Sequence, residues 1–265
     1  MESHVFISTT DLQVLIDSHS VQIVDSGMGA KDGHFAKRIP GAKYFNIPDI
    51  KCTQSSHSIG FPCLSDFTEY MKKFGLKNNG TVVVVYDQSG VAMSGRAWFM
   101  FRHYGYQNVR ILDGGLVKWV AEGRATESGE YEITENTDVN PNDYQFVERQ
   151  GERAFLNEVQ EIGRKINSNE TDVRIWDPRS AEVFNNGTIN SAVNIPFSAF
   201  FNADKTVISA EAARKILDER LGHGEIITTC AKGVIACLGN AIAMHAGRNA
   251  RVYTGSLEEW RTYKL

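Results

Sequence analysis

Cys230 has the sequence surroundings of a reactive thiol. It follows the run "EIITT" (residues 225–229), which is typical of a strand, and it precedes an alanine-rich stretch that is typical of a helix. The nucleophilic form of cysteine is the thiolate. A loop that aims backbone N–H groups at the sulfur, followed by the N-terminus of a helix, stabilises that anion. The sequence therefore predicts that Cys230 is a covalent nucleophile that needs no separate base.

The residues that follow Cys230 would form this loop. The predicted N–H donors to the sulfur, and to a substrate bound there, are Ala231, Lys232, Gly233, Val234 and Ile235. Gly233 allows backbone angles that a Cβ atom excludes, and Lys232 adds a positive charge that suits an anionic substrate. The competing interpretation is that Cys230 is a small buried apolar residue, which is the usual role of a single cysteine between a strand and a helix.

The elements that must position this loop occur twice. The first half contains "VQIVDS" (21–26), "TVVVVYDQSG" (81–90) and "NVRILDGGLVKW" (108–119). The second half contains, in the same order, "VRIWDP" (173–178), "EIITTCAKG" (225–233) and "NARVYTGSLEEW" (249–260). Asp87 occupies in the first copy the place that Cys230 occupies in the second. The sequence therefore predicts two copies of one domain.

Within each copy, short β-branched runs alternate with helical patterns. This alternation predicts an α/β fold of two tandem domains, each a mostly parallel sheet flanked by helices. A polar, acidic stretch separates the copies, so we predict a first domain over 1–125, a linker over 126–150 and a second domain over 151–265. Ligands of such sheets bind at the carboxyl ends of the strands, where Asp87 and Cys230 both lie.

The composition excludes several classes of function. A net charge of −4 over 265 residues gives no basic footprint for nucleic acid, and no apolar run approaches the roughly 20 residues of a membrane helix. Four cysteines without a CxxC pair predict free thiols, with no metal site, no cofactor and no disulfide framework. We interpret Cys237 as core packing, with a resolving thiol as the alternative, and Cys52 and Cys63 as structural or incidental. The predicted location is the cytoplasm, with the mitochondrion as the alternative.

Three motifs in this order resemble the rhodanese family, and more narrowly its two-domain thiosulfate and 3-mercaptopyruvate sulfurtransferases. They are "RIPGA" (38–42), "LDGG" (112–115) followed by a tryptophan, and "CAKGVIAC" (230–237), which is similar to the active loop of that family. The resemblance implies a monomeric enzyme whose first domain, with Asp87 at the cysteine position, is non-catalytic. It also implies that Cys230 takes a sulfane sulfur from a small anionic donor and passes it, as a persulfide, to cyanide, a thiol or a protein.

The resemblance is weaker where the donor binds. "DPRSAEVF" (177–184) is similar to the D-x-R segment of the family, which makes Arg179 either a substrate-binding residue or the ion-pair partner of an acid. An arginine four residues further on contacts the donor anion in the two-domain enzymes, and Val183 stands at that position here. Pro48 likewise stands where those enzymes usually place an acid that faces the active loop.

These departures leave two hypotheses open. The first is an enzyme that uses thiosulfate or 3-mercaptopyruvate as its donor. The second is a degenerate rhodanese that acts as a sulfur carrier loaded by a partner, or as an interaction module. A third class, the related phosphatases, is disfavoured because Ala236 stands where those enzymes need an arginine to bind phosphate.

Overall fold

The computed structural model describes residues 5–29, 31–50, 52, 53, 59–130 and 140–263. The chain forms two compact units: the first comprises the described residues within 6–55 and 61–149, and the second comprises those from Gln150 onward together with Val5, Ile59 and Gly60. Each unit contains one five-stranded sheet in which all neighbouring strands are parallel. The predicted fold class, two tandem α/β domains with parallel sheets flanked by helices, is confirmed.

The sheet of the first unit has the strand order β1-β5-β4-β2-β3. Its strands are β1 Phe6–Ile7, β2 Val21–Gly27, β3 Lys43–Asn46, β4 Val82–Tyr86 and β5 Val109–Leu112. Its helices are α1 Thr9–Asp17, α2 Asp32–Ala36, α3 Leu64–Phe74, α4 Ser94–His103 and α5 Gly115–Ala121. The central strand β4 is almost wholly buried and uniformly apolar, as a strand covered on both faces must be.

The sheet of the second unit repeats this arrangement, with the strand order β6-β10-β9-β7-β8. Its strands are β6 Arg153–Ala154, β7 Arg174–Asp177, β8 Ala192–Asn194, β9 Ile226–Thr228 and β10 Ala250–Tyr253. Its helices are α6 Leu156–Asn167, α7 Ala181–Asn185, α8 Ala210–Leu221, α9 Val234–His245 and α10 Ser256–Thr262. Strand for strand, the two sheets have the same topology, which is what the repeated sequence segments predict.

The core of each unit lies between its sheet and its helices. In the first unit Ile23 and Val84 from the sheet pack with Leu12 of α1 and Trp119 of α5. In the second unit Ile175, Ile227 and Tyr253 of the sheet pack with Val159 of α6 and Leu257 of α10. Burying side chains of this size stabilises the fold by about 1.5–3 kcal/mol each before the entropy cost of ordering the chain.

The stretch predicted as a linker contains residues that bond to the first unit. The backbone of Glu127 pairs with that of Arg38 as an antiparallel bridge, and the Val147 N–H donates to the Tyr104 carbonyl at 3.2 Å. Tyr144 is buried. Residues 131–139 of this stretch lie outside the described residues. The domain boundaries at residues 125 and 150 stay predictions.

A helix that crosses a lipid bilayer needs about 20 predominantly apolar residues. Over the part of the chain that the structure describes, no helix combines the length and the apolar character that such a crossing requires.

Candidate active site

Cys230 lies just beyond the carboxyl end of the central strand β9, which ends at Thr228. The Thr229 N–H donates to the Trp176 carbonyl of the neighbouring strand β7 at 2.8 Å, so the chain leaves the sheet immediately before the cysteine. The Cys230 residue is only 2% exposed. This edge of a parallel sheet is the position at which α/β proteins bind their ligands.

The loop after Cys230 turns sharply and brings a donor to the sulfur. Gly233 has a φ of +77°, in the left-handed region that a residue with a Cβ atom avoids, and its N–H donates to Cys230 Sγ at 3.1 Å. Helix α9 begins at the next residue and runs for 12 residues, so its N-terminus lies beside the thiol. Both features place positive potential where a thiolate or a persulfide anion would form.

The other predicted loop residues have different environments. Lys232 is exposed, Val234 is buried, and Ala231 and Ile235 are half-buried. The Ala231 carbonyl accepts the Glu258 N–H at 2.9 Å, which ties the loop to the first turn of α10. Cys237 is fully buried on α9, and its thiol donates to the Gly233 carbonyl at 3.1 Å, so it helps to hold the glycine that faces the sulfur.

Ser256, at the start of α10, is a site residue that the sequence did not indicate. Its hydroxyl accepts the Cys230 N–H at 3.1 Å, donates to the Tyr253 carbonyl at 2.9 Å and lies 3.9 Å from Cys230 Sγ. The residue is fully buried and has a φ of +51°. Backbone strain of this kind is retained where the surroundings require it, commonly at functional sites. Ser256 therefore fixes the backbone of Cys230.

The internal repeat contains a signal that identifies this serine. The residue at the matching place in the first unit is Gly115, which has a similar φ of +57°. A Cβ atom at Gly115 would overlap the carbonyl oxygen of Gly90. Thus the copy that carries Asp87 has a glycine at this place, and the copy that carries Cys230 has a serine. A comparison of the two copies position by position would have selected Ser256.

Replacing Ser256 separates the contribution of its hydroxyl from that of its backbone. Ser256→Ala and Ser256→Gly both leave the buried Cys230 N–H without its partner, and we expect each to lower sulfur-transfer activity about 10- to 100-fold because the nucleophile loses its anchor. The glycine variant should be more stable to urea than the alanine variant by about 1 kcal/mol, because glycine relieves the positive φ.

A matched control is Ser168→Ala, which removes an exposed hydroxyl that donates to the Arg164 carbonyl. We expect it to change the free energy of unfolding by less than about 0.5 kcal/mol and to leave activity unchanged. An alanine variant of Ser256 with full activity would show that the hydroxyl does not position the nucleophile.

Arg179 is engaged in a buried ion pair. Its Nε lies 2.9 Å and 3.0 Å from the two carboxylate oxygens of Asp177, and its Nη2 donates to the Gly187 carbonyl at 2.9 Å. Asp177 is fully buried and also accepts the Thr188 hydroxyl at 3.0 Å. These contacts match the interpretation of Arg179 as the partner of an acid. Its predicted contact with substrate stays a prediction.

Two positions at which the family resemblance predicts a charged side chain, 183 and 48, carry uncharged residues here. Val183 is 44% exposed on the short helix α7, so the place of the donor-contacting arginine is taken by an exposed apolar side chain. Pro48 lies in a short 3-10 turn of the first unit, Ile47–Asp49. Lys232, in the loop that follows Cys230, has an exposed cationic side chain, whereas Arg179 is buried.

The corresponding loop of the first unit binds a carboxylate in place of a thiol. Asp87 is 1% exposed and accepts the N–H groups of Ser89 at 2.9 Å, Met93 at 2.8 Å and Ser94 at 3.2 Å. Burial raises the pKa of the Asp87 carboxyl above its ordinary value, and these backbone donors act in the opposite direction. The loop of the first unit thus directs three N–H groups at Asp87, and the loop of the second unit directs the Gly233 N–H at Cys230 Sγ.

Comparison of the sequence with protein families and with known proteins shows which family this two-domain architecture matches. The family model of the rhodanese-like domain matches residues 8–122 and 158–263. The chain is 30% identical over 238 residues to thiosulfate sulfurtransferase of Gallus gallus, covering 84% of this chain and 78% of that protein. It is 29% identical over 248 residues to 3-mercaptopyruvate sulfurtransferase of Homo sapiens, covering 88% and 80% respectively.

Solved structures show the same fold. SseA from Escherichia coli superposes with a TM-score of 0.80 at 23% identity, covering 95% of this chain and 98% of SseA. Tum1 from Saccharomyces cerevisiae superposes with a TM-score of 0.84 at 21% identity, covering 99% and 96%. The resemblance predicted from the sequence motifs is confirmed. With two matched regions that span most of its length, this chain belongs to the rhodanese-like domain family.

Proposed function

We propose that the protein is a sulfurtransferase that moves a sulfane sulfur from thiosulfate or 3-mercaptopyruvate to a thiophilic acceptor through a persulfide on Cys230. The observation that carries the proposal is the loop around the sulfur: Gly233 donates to Sγ at 3.1 Å, and helix α9 begins beside it. The named relatives, which are sulfurtransferases for these two donors, support the proposed reaction.

The proposed reaction has two displacement steps. In the first, the Cys230 thiolate attacks the sulfane sulfur of the donor, an Sγ–S bond forms, and the bond between that sulfur and the rest of the donor breaks. Sulfite leaves thiosulfate with the electron pair, and the enolate of pyruvate leaves 3-mercaptopyruvate in the same way. In the second, cyanide, a thiolate or a protein thiol attacks the outer sulfur, and the Cys230 thiolate leaves with the pair.

The surroundings of Cys230 suit both states of the sulfur. The N–H of Gly233 and the N-terminus of α9 stabilise a negative charge on Sγ before the first step and on the outer sulfur after it. The exposed ammonium of Lys232 attracts an anionic donor, and thiosulfate, with two negative charges, benefits most. Thiosulfate is accordingly the preferred donor in this proposal.

A second candidate function is favoured by one observation, the exposed Val183 at the place of the donor-contacting arginine. Arg179 is paired with Asp177 at 2.9 Å and 3.0 Å, and this alternative does not require it to bind a donor. A protein that loads Cys230 directly would not need such a cation. In this alternative the chain is a sulfur carrier that accepts persulfide sulfur from a cysteine desulfurase.

Intact mass spectrometry of the reduced protein distinguishes the two candidates. After mixing with thiosulfate, we expect a gain of one sulfur atom that is lost on adding a thiol. A parallel sample with 3-mercaptopyruvate ranks the two donors by loading rate. If the folded protein gains no sulfur from either donor but gains one from a desulfurase and cysteine, the carrier function replaces the enzymatic one.

The proposed function also includes an oligomeric state, a compartment and an acceptor. We propose that the protein acts as a monomer in the cytoplasm, with the mitochondrion as the alternative compartment. Its acceptor is cyanide, a low-molecular-weight thiol or a protein thiol, and the rate at which each discharges the loaded protein ranks them.

A further inference from the structure

Two further cysteines meet a carboxylate in the first unit, within the connection between β3 and α3. Cys52, Cys63 and Asp66 each offer one ligand atom, and these three atoms all lie within 4.8 Å of one another. All three residues are half-buried, so the cluster is neither sealed in the core nor freely exposed. The sulfur-transfer reaction does not use any of them.

Helix α3 organises two members of this cluster. Cys63 is the residue immediately before the helix, and Asp66 lies in its first turn. The helix is 11 residues long, and its N-terminus stabilises negative charge on both side chains. The Cys63 Sγ lies 3.0 Å from the Ser65 hydroxyl, which is a further polar contact for a thiolate.

Thr53 links Cys52 to the two cluster members on helix α3, Cys63 and Asp66. Its N–H donates to the Asp66 carboxylate at 2.9 Å, and its hydroxyl lies 3.3 Å from both carboxylate oxygens. Thr53 follows Cys52 directly, so these bonds hold Cys52 against the start of the helix. Carboxylates that bind a metal are commonly held in position by hydrogen bonds from nearby residues, as Thr53 holds Asp66 here.

We propose that Cys52, Cys63 and Asp66 bind a divalent cation of the zinc class. Two thiolates and one carboxylate are a donor set that suits a borderline-soft ion, and three protein ligands leave the fourth tetrahedral position for water or a small ligand. Bond lengths of about 2.3 Å to sulfur and about 2.0–2.2 Å to oxygen need ligand atoms about 3.5–3.8 Å apart. A slight contraction of the cluster reaches this separation. Binding releases the two thiol protons to solvent.

The surroundings of the cluster attract a cation. A cavity of about 200 Å³ is lined by Asp66 of the cluster and by Thr53, which bonds to it, together with Asp49, Glu69 and Lys73. Lys73 lies 3.3 Å from the carboxylate of Glu69, which leaves the lining with a net negative charge. This field raises the local concentration of divalent ions at the open side of the proposed site.

Cobalt(II) binding to the reduced protein tests the proposal. The experiment uses the Cys230→Ser variant, so that the catalytic thiol does not compete for the ion. We expect one equivalent of cobalt, with thiolate-to-cobalt charge-transfer absorption in the near ultraviolet that disappears when zinc displaces it. Cys52→Ser and Cys63→Ser should each weaken binding by about 100-fold, and Asp66→Asn by about 10- to 100-fold.

Glu69→Gln is the matched control, because it removes a carboxylate from the same cavity without touching the cluster. We expect it to bind cobalt within about threefold of the parent. The proposal is overturned if no charge-transfer band develops, or if the band persists when both cysteines are replaced. It also fails if air oxidises the two thiols to a disulfide as quickly in excess zinc as without it, because the pair would then be a redox pair.

Discussion

We expect Cys230→Ser to abolish persulfide formation and to lower the proposed turnover of thiosulfate by on the order of 10⁴-fold or more, which is the scale seen when a covalent nucleophile is removed. A serine hydroxyl at this position still accepts the Gly233 N–H, but it stays protonated at neutral pH and is a poor nucleophile toward sulfur. The measurement is steady-state sulfite release together with the intact mass of the protein after exposure to the donor.

The variant should remain folded. Sulfur and oxygen differ little in size, so we expect the free energy of unfolding to change by about 1 kcal/mol. Ser168→Ala is the control: it changes an exposed side chain outside the reactive loop and should keep full activity. If Cys230→Ser still gains one sulfur at the wild-type rate, the nucleophile is another residue and the proposed mechanism is wrong.

Arg179→Met should strongly destabilise the second unit. It leaves the carboxylate of Asp177 fully buried, and within the part of the chain that the structure describes its remaining donors are the Thr188 hydroxyl and the backbone N–H of residue 179. Removing one partner of a buried ion pair costs about 3–5 kcal/mol, because the remaining charge stays desolvated. Urea unfolding should show the midpoint moving to lower concentration with little change in slope.

An exposed pair provides the comparison. Arg164 and Glu161 form an ion pair at 3.0 Å on α6 with side chains 74% and 48% exposed, so Arg164→Met should cost less than about 1 kcal/mol. Adding Asp177→Asn to Arg179→Met should recover part of the loss, since it removes the orphaned charge. If Arg179→Met matches Arg164→Met in stability but raises the KM for thiosulfate tenfold or more, Arg179 binds the donor.

Many of the strands and helices could be predicted because short stretches of the sequence indicate them. The run at Val82–Tyr86 is apolar at every position, which fits a strand buried on both faces, and α8 ends directly before Gly222. Because the sequence repeats, an element predicted in one copy is also predicted at the matching place in the other. The position of Cys230 directly after a central strand predicts the edge of the sheet at which it lies.

What could not be predicted depends on contacts between segments that are distant in the sequence. Ser256 is 26 residues from Cys230, and only the return of the chain through β10 brings its hydroxyl to the Cys230 N–H. The spacing of Cys52 and Cys63 matches no metal-binding motif, and their meeting depends on the bonds between Thr53 and Asp66. Tertiary structure, which no periodic pattern encodes, creates both arrangements.

The glycine at position 115 makes the divergence of the two units hard to reverse. Asp87→Cys would place a thiol among the backbone donors of the first loop. A serine at position 115, which would correspond to Ser256 of the second unit, does not fit, because its Cβ atom would overlap the Gly90 carbonyl. A second active centre would therefore require the backbone around Gly90 to move before the serine could be introduced. Asp87→Cys alone would thus give the first loop a thiol without the serine that holds Cys230 in the second unit.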